Sequence, residues 1–104
     1  MTAFPDAPLF NVNIFTVRPG DVEAFARTQL EGLPAFGNIA GSRGGRLLAE
    51  EGGRRFLLLS EFDSREAHQA FMATPAFEAH RDRLRPLIEG SDSAYWRLIH
   101  ARGS

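Results

Sequence analysis

The stretch "FLLLSEF", residues 56–62, is apolar on both of its alternating faces. Successive residues of a strand point to opposite sides of its sheet, so a strand of this kind must be covered twice. The chain has 104 residues and few helical patterns with which to do it. Helices can cover one side of the sheet, and the other side needs a different cover.

The rest of the chain supplies the other elements. "FNVNIFTV", Phe10 to Val17, alternates as a strand and is stopped by "RPGD", whose Asp21 can cap a helix. Val22, Phe25, Ala26, Leu30 and Leu33 then recur at helical spacing, and Pro34, Gly37, Asn38 and Gly41 close that helix with a loop. Runs over Arg43 to Glu50 and Arg55 to Phe62, joined by "EGGR", read as an antiparallel hairpin. "DSRE", with Asp63 and Glu66 at capping-box spacing, opens a short helix, and Thr74 with Pro75 restarts it. This second helical piece runs through "AFEAHRDRLRPLIEG", with Pro86 and Gly90 marking its end, and Ala94 to His100 form a last strand.

Strand, helix, strand, strand, helix, strand is the split βαβ order of a ferredoxin-like α+β sandwich. A four-stranded antiparallel sheet would carry its helices on one face, leaving Phe10, Val12, Ile14, Leu57 and Leu59 on the other. That apolar surface is too large to leave in water, and pairing two such sheets gives a dimeric α+β barrel. The expectation is a single domain over 1–104, with a structured core at about 10–100, loose ends at 1–9 and 101–104, and a homodimer formed through the sheet faces.

Composition narrows the partners. With 12 basic and 13 acidic residues the formal charge is −1, which gives no footprint for nucleic acid or an anionic membrane. The absence of cysteine excludes disulfides, thiolate metal sites and a cysteine nucleophile. No export signal or membrane-spanning run is legible, so a cytoplasmic protein is expected. "GSRGG" matches neither phosphate-cradling glycine pattern, and the three histidines lack the spacing of a helical zinc pair, so no metal is expected.

Two amides interrupt the first strand on the side that should face the helices. A buried carboxamide costs a few kcal/mol unless its donors and acceptors are met, so Asn13, and with it Asn11, is read as facing a polar hollow. The alternative places Asn11 in solvent on a shorter or edge-like strand. His68, one turn before Phe71 and Met72, can act as a general base or make an interhelix hydrogen bond. His80, near the apolar stripe of the last helix, can be a base, a ligand or a satisfied helix histidine. Tyr95 and Trp96 point to opposite faces of the last strand, one to wall a cavity and one to pack at a dimer contact. Arg43, Arg46 and Arg81 can each face a developing oxyanion.

The strand ending "FTVRPGD", Gly41 before the second strand, the third strand running into "SEFDSREAHQAF", and "TPAFEAH" together resemble the antibiotic biosynthesis monooxygenases of the dimeric α+β barrel superfamily. The likeness spans about Phe10 to His100. It implies an oxygenase without metal, flavin or nicotinamide that oxidises electron-rich aromatic polyketides, from anthrone or quinol to quinone. Where polyketide-oxidising members carry a tryptophan, this chain has Phe62; His68 replaces a tyrosine, Leu58 an asparagine and Leu48 a histidine, while Arg81 matches an arginine. The heme-degrading branch is similar in other positions: its asparagine falls on Asn13, its histidine on or beside His80, and its tryptophan on Phe71.

The resulting expectation assigns proton abstraction to His68 or His80, and anion stabilisation to Asn13 with an arginine such as Arg81. Asn11 and Arg43 contact the substrate, and Phe62, Phe71, Phe77 and Trp96 exclude water. No cofactor is expected, heme being the alternative, and the partners are a small aromatic substrate and O2. A non-oxidative cyclase or isomerase, or a binding-only module, would use the same hollow.

Overall fold

The computed structural model describes residues 8–36 and 39–103. Strand β1 (Leu9–Val17) leads into helix α1 (Val22–Gly32), which tightens into a 3-10 turn over Leu33–Phe36. Strands β2 (Ser42–Ala49) and β3 (Arg55–Phe62) form the hairpin. Helices α2 (Arg65–Met72) and α3 (Pro75–Leu84) follow, then a 3-10 turn (Arg85–Leu87) and β4 (Ile88–Arg97). All pairings are antiparallel, in the order β2-β3-β1-β4. The ferredoxin-like α+β architecture expected from the sequence is the one observed.

Local chemistry departs from the sequence reading at three places. Asp21 precedes α1 but makes no side-chain cap, and Pro34 sits inside the 3-10 turn that extends the helix. Ser64 caps α2 by accepting from the Ala67 amide, which leaves Asp63 to pair with Arg43. Strand β4 begins at Ile88, earlier than the expected Ala94, because Pro86 ends only a 3-10 turn and Ile88 is already extended opposite Val17. Thr74 and Pro75 open α3 as expected, with the Thr74 hydroxyl accepting from the Phe77 amide.

Of the ends expected to be loose, residues 1–7 and Ser104 lie outside the described residues, as do Gly37 and Asn38 of the expected loop. Leu9 is part of β1 and buried. Among the described residues no helix is long and apolar enough to cross a membrane.

One end of the sheet carries a solid core. Phe25 of α1 meets Phe15 at 5.3 Å and Phe56 at 4.7 Å between ring centroids, with Val17 and Leu84 closing the cluster. Val22, Phe25 and Ala26 of α1 pack in this core, Gln29 and Gly32 are buried further along the helix, and Leu30 is 69% exposed. The far face of the sheet is partly covered at best, with Leu48 51% and Trp96 58% exposed.

Candidate functional site

Toward the Leu9 end of the sheet, β2 and β3 and parts of the helical layer, at residues 30–36, Phe71 and Phe77, border an open space. A cavity of about 370 Å³ lies there, within the usual size range of small-molecule sites. Phe36, Phe62, Phe71 and Phe77 line it, with Leu30, Leu33 and Pro34 from the α1 side. Leu47 and Leu58 form part of its floor beside Gly44 and Gly45. Ser42 and Ser60 are the polar residues of the lining on the helix-facing side, and Arg46 borders it from a strand position whose side chain alternates to the far face with Leu59. The hollow is therefore mainly apolar, and the polar lining expected from Asn13 and the histidines is a correction: those groups stand next to the cavity. Phe71 is the hub of its aromatic wall, 5.0 Å from Phe36, 5.6 Å from Phe62 and 4.9 Å from Phe77.

Sheet register connects the cavity to polar groups. Gly45 pairs with Ser60, Ser60 with Asn11, and Asn11 with Tyr95, so all four belong to one cross-strand row on the helix-facing side. Asn11 is buried and donates through Nδ2 to Ser93 Oγ at 3.0 Å and to the Ala94 carbonyl at 3.4 Å. The solvent-facing alternative for Asn11 does not hold. The row ends where the Tyr95 hydroxyl lies 2.7 Å from His68 Nδ1.

His68 is buried on the sheet-facing side of α2, its ring edge-on to Phe62 at 4.8 Å. Burial pushes its pKa below the ordinary histidine value and favours the neutral, proton-accepting form. Arg65 stacks over Tyr95 with its guanidinium 4.8 Å from the ring centroid.

His80 occupies a different niche. Its Nε2 is 2.7 Å from Gln29 Oε1, an acceptor, so the ring donates there and carries its proton on Nε2. The ring packs so closely on Gly32 that a Cβ at that position would overlap it, and Phe36 meets it edge-on at 5.5 Å. Burial, with the nearby Arg83 charge, lowers its pKa. Neither nitrogen is presented to the cavity: Nε2 is engaged by Gln29 and Nδ1 faces Gly32 and Arg83. An iron ligand must offer a nitrogen to the metal, so His80 as placed does not fit heme, and Phe71 belongs to the packed aromatic wall.

The remaining expected site residues are spread out. Arg81 is exposed, its guanidinium 5.6 Å over the Phe77 ring, and Arg43 is tied to Asp63 and Glu61. Neither lines the cavity. Trp96 pairs with Phe10 on the opposite face of the sheet, so it cannot wall this cavity; Tyr95 is the aromatic residue of β4 that faces the helices. Leu48 is likewise on the far face, opposite Leu57 and Ile14. Asn13 is on the helix side in the row of Leu47 and Leu58, and its Oδ1 is buried without a hydrogen-bond partner among the described residues.

Two contributors escaped the sequence reading. Gln29 was masked by the choice of Leu30 for the apolar stripe, although a polar residue one turn after Phe25 was the signal. Ser60 alternates with Phe56, Leu58 and Phe62 on the helix side of β3, and that alternation alone would have placed it in the cavity floor.

The profile of the family described as antibiotic biosynthesis monooxygenase matches residues 8–83. The chain belongs to the antibiotic biosynthesis monooxygenase family. Its fold is similar to a candidate member from Nitrosomonas europaea, with a TM-score of 0.86 and 16% identity over 98% of this chain and 100% of that one. It is similar also to SnoaB of Streptomyces nogalater, described as a cofactor-independent oxygenase, with a TM-score of 0.81 and 22% identity over 93% of this chain and 97% of that one. Protein SO0527 of Shewanella oneidensis has a TM-score of 0.81 and 18% identity over 91% and 94% of the two chains. No curated protein sequence matches. At these identities the neighbours establish the fold shared by the monooxygenase family, and the chemistry has to be argued from the site.

Proposed function

We propose that this member of the monooxygenase family is a cofactor-free oxygenase that converts an electron-rich aromatic polyketide-type substrate, an anthrone or quinol, to the quinone. The observation that carries this reading is an apolar cavity walled by four phenylalanines whose floor continues through Ser60, Asn11 and Tyr95 to His68. A planar aromatic guest suits such walls.

Dioxygen in its ground state reacts slowly with closed-shell molecules and faster with an anion that can give up one electron. The protein's task is to make that anion and keep water from it. His68, neutral and held by Tyr95, is the base of this proposal, and the hydroxyl and amide groups of the polar row stabilise the enolate or phenolate that forms. For an anthrone the balance is complete without a reductant: the methylene carbon loses both hydrogens, gains one oxygen atom as a carbonyl, and the other oxygen leaves as water; a quinol instead gives up two hydrogens and dioxygen leaves as hydrogen peroxide.

The protein is further proposed to work as a homodimer, since Phe10, Val12, Ile14, Leu57 and Leu59 share the open face with the exposed Leu48 and Trp96. A cyclase or isomerase in the same cavity would make the same enolate without consuming oxygen. Oxygen uptake measured with a panel of anthrones and quinols tests the proposal. Uptake dependent on substrate and reduced at least tenfold in His68→Asn supports it; turnover without oxygen loss, or uptake indifferent to the substitution, overturns it.

A further inference from the structure

Strand β2 carries an irregularity that turns one more side chain into the cavity. Ser42 pairs with Phe62 and Gly45 with Ser60, an advance of three residues on β2 against two on β3, with the shift between Ser42 and Gly44. Residues three apart on a regular strand point to opposite faces, so without the bulge Ser42 and Gly45 could not share one. With it, Ser42 stands on the helix-facing side opposite Phe62, and both Ser42 and Ser60 line the cavity. Gly44, at φ 106°, has the backbone conformation that this irregularity uses and that a side chain would oppose. Gly45 has no room for a side chain either, because a Cβ there would lie 2.7 Å from the Leu59 carbonyl oxygen. Bare backbone therefore adjoins the two hydroxyls, and nothing from β2 stands between them and a guest.

The protons of both hydroxyls are uncommitted. The Gly44 amide donates to Ser42 Oγ at 3.4 Å, which uses that oxygen as an acceptor and leaves its own proton to be given elsewhere. The Ser60 hydroxyl makes no hydrogen bond among the described residues. Ser42 and Ser60 occupy diagonal positions on one face, roughly 7 Å apart, a gap that two hydroxyls and two hydrogen bonds of about 2.8 Å can bridge. A hydroxyl turns to suit its partner, so the positions of the two oxygens decide the recognition, whichever way each proton points. Two donors beside an otherwise apolar hollow call for an oxygen that only accepts. A carbonyl oxygen has two lone pairs and nothing to donate; a carboxylate would bring a charge among the phenylalanines, and a pure hydrocarbon would leave both hydroxyls without a partner.

We propose that Ser42 and Ser60 are a carbonyl-binding pair, which fixes the keto oxygen of an aromatic ketone at the β2–β3 side of the cavity floor. They are specificity residues for ketones over hydrocarbons of the same shape. In a keto substrate this is the oxygen that takes up the negative charge when the neighbouring carbon system is deprotonated, so the pair that orients the ketone also meets the enolate. The inference rests on the reading that the cavity takes an aromatic guest.

The test compares 1-tetralone with tetralin, which share a ring skeleton and differ in the carbonyl. The double variant Ser42→Ala/Ser60→Ala should bind 1-tetralone about tenfold more weakly than the wild type, the worth of one to two hydrogen bonds, while its affinity for tetralin stays within about twofold. Ser60→Ala alone, which leaves the bond between Gly44 and Ser42 in place, should lose about threefold for 1-tetralone. The infrared stretch of carbonyl-labelled 1-tetralone gives a reading on the wild type itself: the bound ketone should absorb near its frequency in water, where donors reach the oxygen, and move toward its frequency in hexane in the double variant. A wild-type frequency like that in hexane, an unchanged affinity for 1-tetralone in the variants, or an equal loss for both compounds overturns the proposal while leaving the aromatic cavity intact. Failure of both compounds to bind the wild type would remove the aromatic-guest reading itself, and this inference with it.

Discussion

The imidazole of His80 rests directly on Gly32, close enough that α1 and α3 could not approach as they do if position 32 carried a side chain. Gly32→Ala would gain up to about 1 kcal/mol in helix propensity, but the new methyl group would have to displace a ring held from its other side by Gln29. Overpacking of this kind costs about 1–3 kcal/mol, so the net expectation is a loss of about 1–2 kcal/mol, read from urea unfolding. A variant as stable as the wild type would show that the ring yields freely.

Stability should depend on pH through both buried histidines. His68 and His80 have pKa values lowered below the ordinary 6.5 by burial, aided at His80 by Arg83. Below 6.5 the unfolded chain takes up protons that the folded one resists, so protonation favours unfolding. The stabilisation is complete above about pH 6.5 and is lost as pH falls from there through the depressed folded values. The melting temperature should therefore decline across that window, with a shallower slope in His80→Gln. An identical slope in that variant would mean that His80 does not titrate differently on folding.

Ser64→Ala should lower stability by about 1 kcal/mol, because its hydroxyl oxygen satisfies the Ala67 amide in the first turn of α2. Asp63→Ala, one residue earlier, removes only an exposed pairing with Arg43 and should stay within about 0.5 kcal/mol. Equal losses at the two positions would contradict the assignment of the cap.

The architecture was legible because its signals are local and periodic. Alternation along 10–17, the short apolar run at 56–62, the glycine turn between β2 and β3, and Thr74 before Pro75 each determine an element without reference to the rest of the chain. The site was legible in part. His68 and Asn13 could be put on the helix-facing side by counting, whereas the His68–Tyr95 and His80–Gln29 pairs join residues 27 and 51 positions apart and depend on how helices cross the sheet. The start of β4 was misread because Pro86 and Gly90 looked like one helix end, while the pairing of Ile88 with Val17, a long-range contact, decides that backbone.

Tyr95→Phe separates packing from chemistry at the end of the polar row. The ring and its contact with Arg65 remain, but the 2.7 Å hydrogen bond to His68 is lost. A partly buried imidazole nitrogen left without its partner should cost about 1–2 kcal/mol of stability. If His68 is the base held by Tyr95, substrate-dependent oxygen uptake should fall by roughly tenfold or more in kcat with little change in KM, since the cavity walls are untouched. A change confined to KM would place Tyr95 in binding and weaken the case for His68.

The open face of the sheet gives the last test. Val12 lies at its centre, flanked by Leu59 on β3 and Ala94 on β4, with Trp96 exposed two residues further along the same strand. If a second copy covers this face, Val12→Lys buries an unpaired ammonium in the contact, a change expected to weaken association by several kcal/mol. Sedimentation equilibrium should then show a dimer for the wild type and a monomer for the variant, and the Trp96 emission should move to longer wavelength as its ring meets water. The cavity lies on the helix side, so the variant monomer should keep its affinity for 1-tetralone. A wild-type protein that sediments as a monomer at all concentrations would overturn the proposed dimer and leave the reading of the cavity unaffected.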